Sequence, residues 1–146
     1  MKNHLTGLWN NTQKRLTSTL EKLTDEHLRF KLNDTTASLG FLMLHIGESQ
    51  MSLANIFYGA VPDFKATYSY AATDDGKEIP LALIRKTLTE SGEVVLEAIE
   101  KFSDAQWAET VDTRFGALSR FDALAFIINH SAYHHGQAVL TLKRGQ

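Results

Sequence analysis

Asn129-His130-Ser131-Ala132-Tyr133-His134-His135-Gly136-Gln137 is the stretch on which the fold turns. Four residues carry an α-helix round by roughly 400°, so His130 and His134 stack about 6 Å apart on one face. Ile127 lies a turn before them and Gln137 a turn after, on that same face. The helix implied runs from about Arg120 to Leu142, with Leu124, Ile127, Ile128, Ala132 and Leu140 apolar. A Lys143-Arg144 pair follows where the helix dipole favours positive charge. Two imidazoles on a face directed at a core need a cation or hydrogen-bond donors, so the pair is either two partly buried, hydrogen-bonded histidines or two ligands of a metal ion.

A third candidate ligand stands far upstream. His45 sits in Phe41-Leu42-Met43-Leu44-His45-Ile46-Gly47-Glu48, a strongly apolar, helix-like stretch in which a lone imidazole is an odd choice for packing alone. Read by itself it is a satisfied core histidine; read with the downstream pair it is a ligand, and three nitrogens from two helices leave a coordination position open. Glu48, one turn on, faces the same way and is a candidate outer acceptor, further ligand, general base or plain surface carboxylate. Asn129, Tyr133 and Gln137 flank the pair and are candidates to orient an imidazole, because ligating histidines usually give their second N–H to an outer partner. His135 is turned about 100° from His134 and is poorly placed to coordinate with it. His4 and His27 fall in a terminus and a capped turn, where solvated surface is expected.

The remaining sequence extends the helical reading. Leu5, Leu8, Trp9, Thr12, Leu16, Leu20 and Leu23 recur at threes and fours, marking an amphipathic first helix. Thr24-Asp25-Glu26 signals a short capped turn, and Ser38 caps a second helix running to about Tyr58. From Gly59 to about Pro80 no period is sustained, and we read a long crossover loop whose aromatics, Phe64, Tyr68 and Tyr70, either lie over a site as a lid or pack beneath the connection. Pro80 suits a first helical position, and Leu81, Ile84, Leu88, Val95, Leu96 and Ile99 make a third helix that Gly92 weakens modestly. Ser103-Asp104-Ala105-Gln106-Trp107 starts a short turn much as Thr24-Asp25-Glu26-His27-Leu28 does, which hints at a duplicated helix pair meeting at the histidines. Thr110 to Gly116 alternates and carries a glycine, as a short extended piece or an irregular loop.

Composition narrows the function classes. The 146 residues are 43% hydrophobic, one domain's worth and enough for a core without covalent staples. No cysteine is present, which excludes disulfides, thiolate metal sites and cysteine nucleophiles and leaves histidine and carboxylate as the metal option. Fifteen basic and seventeen acidic residues are scattered, so no basic stripe is available for nucleic acid. The first residues lack the apolar core of a signal peptide and no apolar run approaches a membrane span, so the expectation is a cytoplasmic protein with neither nucleic acid nor membrane as partner.

Residues 38–48 and 129–137 together resemble the DinB/YfiT-like superfamily, small helical proteins with one histidine on the second helix and a His-x-x-x-His-Arg-Gly-Gln type motif on the last. The resemblance covers nearly the whole chain, and its second motif is the specific one. It implies an all-α four-helix bundle with a long crossover between helices two and three, His45, His130 and His134 as the three metal ligands, and a homodimer. His135 stands where the family commonly has arginine, so that arginine's role is not carried over. Some relatives are metal-dependent transferases or isomerases that use low-molecular-weight thiols, and others are described as hydrolases.

The leading functional expectation is a metalloenzyme. Its three histidines would bind zinc or nickel and activate water or a low-molecular-weight thiol, with Glu48 receiving the proton. The competing class is a non-catalytic, metal-stabilised dimeric bundle that binds a small molecule or a protein partner.

Overall fold

Four long helices account for most of the chain in the computed structural model, which describes residues 1–69 and 72–146. They are α1 (Lys2–Leu20), α2 (Leu39–Tyr58), α3 (Leu81–Lys101) and α5 (Arg120–Arg144), with a short α4 (Asp104–Ala108) and a single 3-10 turn at His27–Arg29. The all-α bundle and its long connection between the second and third helices are as the sequence implies. No helix among the described residues is long and apolar enough to cross a membrane.

Helix starts follow side-chain chemistry. The hydroxyl of Ser38 accepts from the Phe41 N–H, that of Ser119 from Asp122, and Ser103 forms a reciprocal capping box with Gln106. Pro80 takes the extended position before α3, one residue outside the expected first helical place. The two short turns that suggested a duplication differ: the 3-10 turn at His27 has no side-chain cap, whereas α4 has the capping box. A hairpin then follows α4, β1 (Thr110–Thr113) paired antiparallel with β2 (Gly116–Ser119), which settles the extended alternative for this segment.

The helices pack through apolar faces and two close approaches. Trp9, Trp107, Leu44, Ile46, Ile84, Ile99, Leu124 and Ile127 are wholly withdrawn from water, each worth about 1.5–3 kcal/mol or more of apolar burial. A Cβ at Gly47 would lie 2.9 Å from Thr87 Cγ2, so only glycine lets α2 and α3 come this near. Gly92, which helix propensity marks as a weakness, gives α1 its seat instead. Its carbonyl accepts the Trp9 indole N–H at 2.9 Å, and a Cβ there would press on Gln13 at 3.2 Å.

One polar cluster crosses the core. Gln50 on α2 is wholly buried, accepts from Ser91 on α3 at 2.7 Å and donates to Ser131 on α5 at 3.0 Å. Ser131 in turn donates to the Ile127 carbonyl at 2.8 Å. A buried amide tolerates no slippage of its partners, so this brace fixes α2 against α5 one residue from His130.

The crossover loop is fastened to the bundle rather than draped over it. The Asp74 carboxylate accepts the Ser38 N–H at 2.7 Å at the start of α2 and pairs with Lys31 at 3.4 Å. Tyr68 is buried, its ring edge-on to Phe41, and its hydroxyl donates to Asp75 at 2.8 Å. Of the loop aromatics named from the sequence, Phe64 is half-buried and Tyr70 lies outside the described residues.

Candidate metal centre

His45 from α2 and His130 and His134 from α5 converge, each offering one nitrogen such that all lie within 4.8 Å of one another. Ring centroids are 4.5 Å apart for His45 and His134, 4.6 Å for His130 and His134, and 5.2 Å for His45 and His130. His45 is buried and the other two are half-buried, so the cluster opens to one side.

The hydrogen bonds around the rings decide what they present to one another. A carbonyl oxygen only accepts, so the bond between His45 Nδ1 and the Tyr68 carbonyl puts the ring proton on Nδ1 and a lone pair on Nε2. His134 Nδ1 likewise donates to Gln137 Oε1 at 2.7 Å. The two Nε2 atoms then face each other at 3.2 Å with no proton between them. Two acceptors so placed repel unless a cation lies against both. His130 adds a buried Nδ1 with no hydrogen-bond partner. A three-histidine group with orienting outer acceptors fits a divalent ion, and this group could hold one.

Electrostatics agree with ligation by neutral rings. Burial lowers the pKa of His45, His130 and His134, and for His130 the neighbouring histidines add to it, bringing it down to about 4. Neutral imidazole is the form a metal takes.

Around the ring cluster the flanking candidates separate. Glu48 is only 8% exposed, which removes the surface-carboxylate alternative, and it accepts the N–H of Tyr68, the residue whose carbonyl orients His45. Burial raises its pKa, while the peptide N–H groups of Tyr68 and Thr67 pull it back. Gln137 bonds His134, Tyr133 is exposed with its ring edge-on to that of His134 at 4.9 Å between centroids, and Asn129 is exposed. His135 points to α1, where its Nε2 meets Thr19 Oγ1 at 2.8 Å. His27 accepts from the Thr24 N–H at 3.2 Å and stays at the surface turn.

Beside the histidines lies a pocket of about 360 Å³. Leu53, Phe115 and Phe126 supply apolar wall, Ser49, Ser52 and Ser69 supply hydroxyls, and Arg114 enters from the hairpin tip. Sequence reasoning missed this last contribution and the whole Gln50 brace.

The chain matches the family model described as DinB superfamily over residues 8–138. Its fold is similar to that of a DinB-like protein from Bacillus cereus, with a TM-score of 0.78 at 20% identity, covering 96% of this chain and 89% of that one. A DinB-like protein from Bacillus subtilis aligns with a TM-score of 0.73 at 15% identity, over 96% of this chain and 90% of that one. A mycothiol-dependent maleylpyruvate isomerase shares the fold with a TM-score of 0.69 at 13% identity, where 93% of this chain corresponds to 60% of that longer one. No curated protein matches the chain in sequence. With the family model spanning most of its length and the same bundle in these solved structures, the chain belongs to the DinB superfamily.

Proposed function

We propose that this protein is a divalent-metal-dependent enzyme in which His45, His130 and His134 hold zinc or nickel and the adjoining pocket receives a small-molecule substrate. The observation that carries the reading is the pair of Nε2 atoms 3.2 Å apart, each on a ring whose Nδ1 is bonded to a carbonyl oxygen on its far side. Such an ion supplies Lewis-acid chemistry, drawing a water or a low-molecular-weight thiol toward its deprotonated form for hydrolysis or thiol transfer. The mycothiol dependence of the isomerase that shares the fold supports a thiol.

The chain's own residues have separate tasks in this reading. Tyr68 and Gln137 hold the rings in the tautomer that presents Nε2. Leu53, Phe115 and Phe126 give the pocket beside the cluster its apolar wall. Glu48, engaged with the Tyr68 N–H, serves as a positioning residue and not as the base. The pocket beside the cluster supports a catalytic over a purely structural metal site, since structural sites are closed by protein on all sides. Metal analysis tests the site: wild type should carry a stoichiometric divalent ion that His130→Ala loses, and an unchanged stoichiometry in the variant refutes it.

A homodimer through α5 accompanies this reading. Phe126, Tyr133 and Leu140 are exposed and spaced seven residues apart, with Ala132 and Gly136 between them, so one side of the helix presents an apolar seam with room for close approach. Sedimentation of wild type and Tyr133→Glu checks it: a dimer that becomes a monomer is expected, and a monomeric wild type rejects it.

A further inference from the structure

The pocket beside the histidines carries a cation that metal binding does not account for. Arg114 lines it, at the tip of the hairpin between β1 and β2. The hairpin tip is built to keep that side chain in place. Thr113 Oγ1 accepts the Phe115 N–H at 3.0 Å and donates to the Gly116 carbonyl at 2.8 Å, and Gly116 adopts a φ of 98° that closes the turn. Phe115 is wedged against Phe126 at 5.2 Å and Phe57 at 5.9 Å between centroids, and the Arg114 guanidinium rests over the Phe115 ring at 4.9 Å.

We propose that the pocket binds a small molecule with a carboxylate on a compact apolar body, Arg114 taking the carboxylate and Leu53, Phe115 and Phe126 the body. The planar fork of a guanidinium matches a carboxylate through two parallel N–H bonds, and the apolar walls suit the body that carries it. This names the substrate class of the proposed enzyme and rests on that reading only in placing the reacting end of the molecule toward the histidines.

Benzoate and its neutral counterpart benzamide serve as probes, titrated calorimetrically into zinc-loaded and EDTA-treated protein, wild type and Arg114→Gln. Wild type should bind benzoate saturably and more tightly than benzamide. Arg114→Gln should weaken benzoate about 10–100-fold, the worth of a charge-assisted pair, while leaving benzamide affinity and zinc stoichiometry unchanged. Arg114 is exposed on a hairpin tip, and a melting curve matching wild type establishes that the variant is folded. Equal benzoate affinity in the two proteins, benzoate binding no tighter than benzamide, or no saturable benzoate binding by wild type overturns the proposal. Arg114-dependent benzoate binding in a protein that takes up no zinc would sink the metal reading and leave this one standing.

Discussion

Tyr68 joins Glu48 to His45 through a single residue's backbone: its N–H donates to the Glu48 carboxylate and its carbonyl accepts from His45 Nδ1. The carboxylate therefore acts on the histidine cluster through the crossover loop. Removing it in Glu48→Ala leaves a buried N–H unpaired, and we expect a loss of about 1–3 kcal/mol in stability together with a 10–100-fold loss of zinc affinity. Glu48→Gln keeps one amide oxygen as acceptor and should lose less of both. A zinc titration in the presence of a competing chelator reads the affinity. Unaltered affinity in Glu48→Ala with abolished turnover would instead make Glu48 the general base.

The difference between what the sequence disclosed and what it concealed follows from the kind of signal each feature carries. Apolar residues at threes and fours outline α1, α3 and α5, and Ser38 marks the start of α2, because these are local patterns with local causes. The histidine trio was legible because imidazole is unusual on an apolar face. Tyr68's role was not, since every residue owns an N–H and a carbonyl and nothing in a side chain advertises their use. Gln50, Ser91 and Ser131 were equally silent: each is an ordinary polar residue in its own helix and becomes a brace only when three helices meet. Gly92 misled for a related reason, as propensity counts the cost of glycine within a helix and not the neighbour it admits.

That brace makes its own prediction. Gln50→Ala leaves a cavity and deprives the Ser91 and Ser131 hydroxyls of their shared partner in a fully buried place. We expect a cost of about 2–4 kcal/mol, seen as a lower urea midpoint at unchanged slope. Because α2 and α5 lose the contact that sets their register, zinc affinity should fall as well. A variant with wild-type affinity would show that packing alone aligns His45 with His130.

His135 should behave oppositely to its neighbour. Its Nε2 bonds Thr19 on α1, and burial together with the nearby Arg15 charge lowers its pKa, so it ties two helices together as a neutral ring. His135→Ala is expected to lose about 1 kcal/mol of stability and retain full metal stoichiometry. Metal analysis and denaturant unfolding on the same preparation check both halves, and loss of the ion in this variant would place His135 in the ligand set.

Acid should destabilise the metal-free protein in a defined window. His45, His130, His134 and His135 all have pKa values lowered by burial, and His130 comes down to about 4 from the ordinary 6.5. Between those values the unfolded chain binds more protons than the folded one, so the stabilising contribution is complete above 6.5 and drains away as pH falls toward 4. Glu48 works in the other direction, since burial raises its pKa and favours the folded state as pH falls. Its effect falls above 4.5, inside the window, but four histidines that bind protons less readily when folded outweigh one carboxyl that binds one more readily. The melting temperature in EDTA should therefore decline steadily across the window. With zinc present, ligation holds the rings neutral, so the melting temperature should stay high until protons displace the ion and then drop over a narrower span. Thermal unfolding followed by circular dichroism at stepped pH, with and without zinc, measures both curves. A melting temperature in EDTA that is flat across the window would mean that the rings are protonated in the folded protein and do not present the lone pairs a metal needs.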